Sequence, residues 1–285
     1  MCQHFKNLSN NLRLLEIILC VLALVIPIFR GRMVNPYGIY CEFVWVFCII
    51  VAVVLLVFEI MLLHILLAAC LPNWDDLVCG LTMLCTLMVA AATLIFAIKF
   101  ACLSCVSSIF CVIFSLAATV VFLIDSVIRK MKCPEGYLSS LRGVLRFTEA
   151  VLACIILAGA TNYFLGVESV FRPPAMFLCI VVYIVCLPVT VLIILIHLIK
   201  LLECLISCIG MKLLELVFNV LAVVFYLSAV VLWPLFGYRH YRNYNPPNCD
   251  YCHHDDLDVV IVGTIGNLSL YVVDLVFSVL ARIKS

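Results

Sequence analysis

The sequence predicts an all-α integral membrane protein in which eight transmembrane helices form two consecutive four-helix bundles. The first observation is composition: 67% of the 285 residues are hydrophobic and only 12% are charged. A soluble domain of this length cannot bury that much apolar surface, so lipid must be its solvent. The second observation is the number of long apolar segments, and the third is an internal repeat.

Eight segments are long and apolar enough to cross a bilayer, which requires roughly 20 mainly apolar residues. Four precede and four follow a short polar, basic stretch in the middle of the chain. The predicted helices cover about 13–33, 41–67, 77–98, 100–128, 143–165, 174–201, 211–236 and 258–281. The third and fourth segments are separated only near Lys99, and the alternative is one very long helix.

The two halves repeat each other in the positions of scarce polar residues. Arg13 and Arg146 differ by 133 positions (146 − 13), and so do Glu16 and Glu149 (149 − 16). His64 and His197 keep the same offset (197 − 64). Such a register among apolar runs indicates a duplicated unit. We therefore predict a first four-helix domain over 9–131, a basic cytosolic linker over 132–142 and a second four-helix domain over 143–285.

The distribution of basic residues predicts that both termini are cytosolic. In that orientation eleven of the 17 Lys and Arg residues flank the inner helix ends and six flank the outer ends. The first helix has the basic flank of a signal peptide, but it contains Glu16 and lacks a small-residue cleavage site. We expect it to be retained.

The first four helices carry distinct boundary and packing signals. Trp74 suits the headgroup region, and Asp75 and Asp76 suit the positive end of the third helix. Glu59 in the second helix has no obvious partner. Small or weakly polar residues recur every four positions in the fourth helix, which favours close helix packing over a chance pattern: Ser107, Cys111, Ser115 and Thr119.

The last four helices are delimited by proline and aromatic residues. Pro188 lies inside the sixth helix and predicts a kink. Trp233-Pro234 predicts the outer end of the seventh helix, followed by a long outer loop over 237–257. The eighth helix contains Tyr271 and Asp274, which match Phe122 and Asp125 of the fourth helix as aromatic-x-x-Asp.

These polar residues predict a structural cluster at the cytosolic end of each bundle. The predicted members are Arg13, Glu16, His64 and Asp125 in the first bundle and Arg146, Glu149, His197 and Asp274 in the second. Charged residues within a span cost about 2.5–3.5 kcal/mol on insertion scales, so they normally face the bundle and pair. We expect Asp274 to be the partner of His197. The alternatives are side chains that simply reach the headgroups and a proton or ion relay.

The 18 cysteines predict packing residues and a few modification sites, but no cofactor site. Cys249 and Cys252 form a candidate outer disulfide, while the Cys-x-x-Cys-His-His spelling also leaves haem attachment and zinc binding open. Cys133, Cys204 and Cys208 at the cytosolic edge are candidate acylation sites. The sequence shows no catalytic motif or basic patch, so we expect no catalytic residues, no metal and no nucleic-acid partner.

The chain resembles the myeloid-associated differentiation marker family, whose members carry two MARVEL domains. The resemblance rests on four motifs: Asn73-Trp74-Asp75-Asp76-Leu77, Cys186-Leu187-Pro188-Val189-Thr190, Leu232-Trp233-Pro234-Leu235, and Asn267-Leu268 with Tyr271-Val272, Asp274-Leu275-Val276 and Ser278. It implies MARVEL-type bundles in a non-enzymatic, multi-pass protein of ordered, cholesterol-rich plasma-membrane regions. It also implies roles in membrane trafficking and in linkage to the cortical cytoskeleton.

The resemblance sets the expected partners and leaves other functions to be weighed. The expected partners are membrane lipids including cholesterol, other membrane proteins or further copies of the chain, and cortical cytoskeleton linkers. The alternative function is a transporter or channel for a small solute or ion. An intramembrane enzyme is a third hypothesis, for which the Glu, His and Asp residues at the inner ends would have to supply the reactive groups.

Overall fold

The computed structural model describes eight α-helices and the short segments around them. The described residues are 2–30, 33, 35–61, 74–101, 105–132, 138, 140–165, 173–198, 211–244 and 254–283. The helices are α1 Cys2–Arg30, α2 Pro36–Ile60, α3 Trp74–Lys99, α4 Val106–Lys132, α5 Leu141–Leu165, α6 Pro174–Leu198, α7 Met211–Tyr244 and α8 His254–Ile283. His64, Cys133, Cys204, Cys208, Cys249 and Cys252, named from the sequence, lie outside the described residues.

All eight helices are long and apolar enough to cross a membrane, and the described part of the chain contains no strand. The all-α membrane class predicted from composition is therefore confirmed. The alternative of one long third helix is wrong, because α3 ends at Lys99, Phe100 forms a turn and α4 starts at Val106.

Several helix ends differ from the sequence prediction, among them the end of α7 and the start of α2. Helix α7 continues through Pro234 to Tyr244, so the expected stop near 236 and the loop from 237 are wrong. The missing N–H of a proline can be tolerated in a transmembrane helix because neighbouring groups re-satisfy the freed backbone. At the start of α2, Asn35 caps the helix by accepting a hydrogen bond from the Gly38 amide at 2.8 Å, and Pro36 occupies the first helical turn.

The helices divide into two compact units. The first unit contains α1 to α4, and the second contains α6 to α8 and most of α5, with the division inside α5 between Phe147 and Thr148. In the first unit α1 packs against α2 and α4, and α3 also packs against α2 and α4. These four contacts close a ring of helices around one core.

The second unit has an aromatic core to which all four of its helices contribute. Ile156 of α5, Tyr183 of α6, Trp233 of α7 and Tyr271 of α8 are fully buried within one cluster. Trp233 contacts the ring of Tyr183 at 6.3 Å between centroids, and Tyr226 contacts Tyr271 at 5.1 Å. The bulky rings fill the space between helices that would otherwise require lipid or water.

Candidate functional site

The best-defined polar site in the first unit surrounds Arg13 of α1, whose side chain is fully buried. Arg13 donates to Glu16 Oε2 at 3.0 Å and to Thr82 Oγ1 of α3 at 2.9 Å. Its Nη2 also lies 3.1 Å from Asp125 Oδ2 of α4. One guanidinium therefore holds groups from three helices.

A second guanidinium extends this site to the remaining helix of the unit. Arg129 of α4 donates to Asp125 Oδ2 at 2.9 Å and to Glu59 Oε1 of α2 at 2.8 Å. The view of Glu59 as a carboxylate without a partner is therefore wrong. Its partner was hard to identify because Arg129 lies 70 positions away, in the stretch that reads as a basic flank.

We call the set Arg13, Glu16, Glu59, Thr82, Asp125 and Arg129 the first polar network. Two spacings build it locally: Arg13 and Glu16 are three residues apart, and Asp125 and Arg129 are four apart, so each pair shares a helix face. The network has two guanidinium groups and three carboxyl groups. Because charges in a membrane interior are costly unless paired, this arrangement holds the four helices together at one end of the bundle.

Hydroxyl groups form a second layer further along the first unit. Trp45 of α2 donates its indole N–H to Ser115 Oγ of α4 at 3.1 Å, and Ser115 Oγ lies 2.7 Å from Thr93 Oγ1 of α3. Thr93 and Thr119 each donate to the carbonyl four residues earlier in their own helices. The small-residue positions of α4 are therefore a packing seam at Cys111 and Ser115, whereas Ser107 is exposed.

The second unit has a different polar set at the end where α6 finishes and α7 begins. His197 Nε2 of α6 lies 3.0 Å from Glu215 Oε1 of α7. Asn219 of α7 donates to Asp274 Oδ2 of α8 at 2.9 Å and to Ser278 Oγ at 3.0 Å. We call His197, Glu215, Asn219, Asp274 and Ser278 the second polar network.

Three of the four polar residues predicted for the second bundle are buried: Arg146, Glu149 and Asp274 are at most 1% exposed. The sequence suggested Asp274 as the partner of His197, and the carboxylate 3.0 Å from the Nε2 atom of His197 is that of Glu215. Glu215 and Asn219 were missed. Their four-residue spacing near the start of α7 is the signal that would have found them.

The burial patterns of α2 and α6 correct the repeat register in this helix pair. Buried residues of α2 and α6 correspond at an offset of 138: Cys41 with Cys179, Trp45 with Tyr183, Cys48 with Cys186, and Leu55 with Ile193. The same offset makes His197 the equivalent of Glu59 in the repeat (59 + 138). The offset of 133 that pairs His64 with His197 in the sequence therefore does not describe the burial register of α2 and α6, and His64 itself lies outside the described residues.

The equivalent residues also make equivalent contacts. In the first unit Trp45 Nε1 lies 3.1 Å from Ser115 Oγ, and in the second the Tyr183 hydroxyl lies 2.9 Å from Thr264 Oγ1. Ser115 and Thr264 differ by 149 positions (264 − 115). Asp125 and Asp274 have the same offset (274 − 125). The units therefore share one internal plan, and their polar groups occupy matching places on it.

Within the described residues, no group of three or more His, Cys, Asp and Glu side chains is placed to hold a metal ion. The polar groups of both networks bond mainly to one another and to helix carbonyls across helix interfaces. Chemically, this arrangement fixes helices relative to each other.

Comparison with known proteins agrees with the fold. The membrane-associating (MARVEL) domain model matches residues 137–277. Myeloid-associated differentiation marker-like protein 2 from Homo sapiens is 30% identical over 87% of this chain and 83% of its own length. A myeloid-associated differentiation marker homolog from Xenopus laevis is 28% identical over 96% of this chain and 92% of its own length.

A third relative, myeloid-associated differentiation marker-like protein 2 from Xenopus laevis, is 26% identical over 95% of this chain and 92% of its own length. No solved structure matches the chain. The identity to these relatives extends through both units, well beyond the part that the domain model matches. The chain therefore belongs to the myeloid-associated differentiation marker family of multi-pass membrane proteins with a MARVEL domain.

Proposed function

We propose that this protein is a non-enzymatic organiser of ordered, cholesterol-rich regions of the plasma membrane, acting through lateral contacts of its helices with lipids and proteins. Roles in membrane trafficking and in linkage to the cortical cytoskeleton follow from the family resemblance. In this proposal both termini are cytosolic, consistent with the excess of basic residues at the inner helix ends.

The observation that carries this proposal is the separation of polar and apolar side chains in the described helices. The first polar network is almost fully enclosed, with Arg13, Glu16 and Asp125 at 0% exposure. Large apolar side chains point outward instead, such as Phe43, Ile50, Phe177 and Leu192, which are 51–62% exposed. A surface of this kind is matched to lipid tails and to other transmembrane helices.

The interior of each unit favours a packed scaffold over a transport path. Trp45 and Phe122 fill the first core, and Tyr226 and Trp233 fill the second, all at 0% exposure. The hydroxyls between them are bonded to neighbouring helices, as in the pair Thr190 and Tyr271 at 2.8 Å. A channel or carrier would need these groups to face a water-filled cavity in at least one state.

The proposed partners follow from the same surfaces. Lipids, including cholesterol, would contact the outward apolar faces, as would other membrane proteins or further copies of this chain. Cortical cytoskeleton linkers would approach from the cytosolic side, where the basic linker over 132–142 offers positive charge close to the anionic inner leaflet.

The test combines membrane partitioning with a flux measurement on the full-length chain. In giant vesicles drawn from plasma membranes we expect the protein to enrich in the ordered phase, and proximity labelling in cells to mark raft proteins and cytoskeleton linkers. Purified protein in liposomes should show no selective flux. Exclusion from the ordered phase, or a flux that Glu59→Gln or Asp125→Asn abolishes, would contradict the proposal and support the transporter alternative.

A further inference from the structure

The His197–Glu215 pair has an unusual arrangement of hydrogen-bond partners. His197 lies at the end of α6 and Glu215 lies four residues after the start of α7. The Nε2 atom of His197 lies 3.0 Å from Glu215 Oε1, and the Nδ1 atom lies 2.9 Å from the backbone oxygen of Ile193. Both side chains are largely enclosed, at 14% and 4% exposure.

Both ring nitrogens of His197 therefore face oxygen atoms. A carbonyl oxygen can only accept, and an ionised carboxylate can only accept. A neutral imidazole has one N–H, so it can satisfy one of these two contacts and would direct a lone pair at the other oxygen. Both contacts form together only when the pair holds one more proton, carried either by the imidazole or by the Glu215 carboxyl group.

Other ionisable groups are buried in the helices around this pair. Helix α5 carries Arg146 and Glu149, and α8 carries Asp274, whose Oδ2 accepts from Asn219 at 2.9 Å. Glu215 is the carboxyl group from α7.

The equivalent place in the first unit uses a guanidinium as its cation. Glu59, which matches His197 in the burial register, is held by Arg129 at 2.8 Å. A guanidinium keeps its charge throughout the accessible pH range, so the cation of this contact does not titrate. Two equivalent helix ends are thus held by chemically different contacts.

We infer that the His197–Glu215 pair is a proton-binding site whose proton holds the end of α6 against the start of α7. The held state binds one more proton than a released state with neutral His197 and ionised Glu215. A rise in pH therefore favours release, and a fall in pH favours the held state. This site is independent of the membrane-organising role proposed above.

Hydrogen exchange on the full-length protein in lipid nanodiscs tests this inference. The measured quantity is the protection against exchange of peptides at the end of α6 and the start of α7. It is divided by the protection of the α2 peptide that contains Glu59, because the intrinsic pH dependence of exchange cancels in this ratio. Between about pH 5 and about pH 8, the range in which histidines usually titrate, we expect the ratio to fall. Above the midpoint of this pH-dependent transition, the ratio should fall about tenfold for each pH unit, because the held state binds one proton more than the released state.

Two variants show whether the proton lies on this pair. Glu215→Gln should give a ratio independent of pH, because an amide can accept from Nε2–H or donate to an Nε2 lone pair. His197→Arg should also give a flat ratio, since it keeps a permanent cation opposite Glu215. If either variant fails to fold, the other still provides the test. A flat ratio in the unmodified chain, or an equal fall in the unmodified chain and a folded variant, would overturn the inference.

Discussion

The two units share a four-helix plan, but the polar contacts at matching positions are not all alike. In the first, two arginines bind three carboxyl groups and link all four helices through Arg13 and Arg129. In the second, Asn219 binds Asp274 and Ser278, and His197 meets Glu215. Positions that match in the burial register thus carry different groups, such as the carboxyl group of Glu59 and the imidazole of His197. The apolar register thus defines the bundle, and the polar groups add contacts that differ between the units.

The largest effect is expected at the buried arginine of the first polar network, and a smaller one at Asn219 of the second polar network. Arg13→Met leaves Glu16 without its cation and deprives Asp125 of one of its two, and should destabilise the protein by about 3–5 kcal/mol. Asn219→Leu removes neutral donors from Asp274 and Ser278 and should cost no more than about 1.7 kcal/mol. Reversible unfolding in mixed detergent and lipid measures both. Equal losses would show that the first polar network is no stronger than the second.

A smaller effect should come from close packing at glycine. A Cβ on Gly80 of α3 would lie 2.7 Å from Leu138 Cβ, and Leu138 is tied down because its amide donates to Asp76 Oδ2 at 3.0 Å. Gly80→Ala should therefore destabilise the first unit by about 1–3 kcal/mol. Gly266→Ala in α8 is the matched control, because its Cβ would meet only the end of the Leu152 side chain at 3.2 Å.

For Gly266→Ala we expect no loss, or a gain of up to about 1 kcal/mol from helix propensity. The same unfolding measurement applies to both glycine variants. A neutral Gly80→Ala would mean that the segment around Leu138 is not held against α3.

The smallest effects should come from one matching contact in each unit. Ser115→Ala leaves the indole N–H of Trp45 without its acceptor, and Thr264→Val does the same to the hydroxyl of Tyr183. Each should cost about 0.6 kcal/mol, the average for hydrogen bonds between transmembrane helices, and at most about 1.7 kcal/mol. Because Ser115 Oγ also lies 2.7 Å from Thr93 Oγ1, Ser115→Ala should cost at least as much as Thr264→Val, and a larger loss for Thr264→Val would show that the matching contacts differ in strength.

Much of the fold could be predicted from the sequence because hydropathy and helix length report directly on burial in lipid. The roles of Arg13, Glu16 and Asp125 were also accessible, since scarce polar residues in apolar runs must find partners. The Glu59–Arg129 and His197–Glu215 pairs were not, because they depend on which helices become neighbours and on a five-residue difference in register (138 − 133). Apolar helices of similar composition do not reveal that register until their burial is known.

The matching of His197 with Glu59 is the central claim, and one double-mutant cycle tests it most directly. His197→Glu combined with Ser278→Arg recreates the Glu59–Arg129 pair in the second unit, because Ser278 and Arg129 differ by the same 149 positions as Asp274 and Asp125 (278 − 129). We predict that each single change destabilises the protein and that the double variant regains about 1–3 kcal/mol relative to their sum.

The control is Leu192→Glu with Ser278→Arg. Position 192 is the equivalent of Glu59 at an offset of 133 (59 + 133), and the Leu192 side chain is 51% exposed. No recovery is expected there. Recovery in the control, or additive losses for His197→Glu with Ser278→Arg, would contradict the shared plan of the two units.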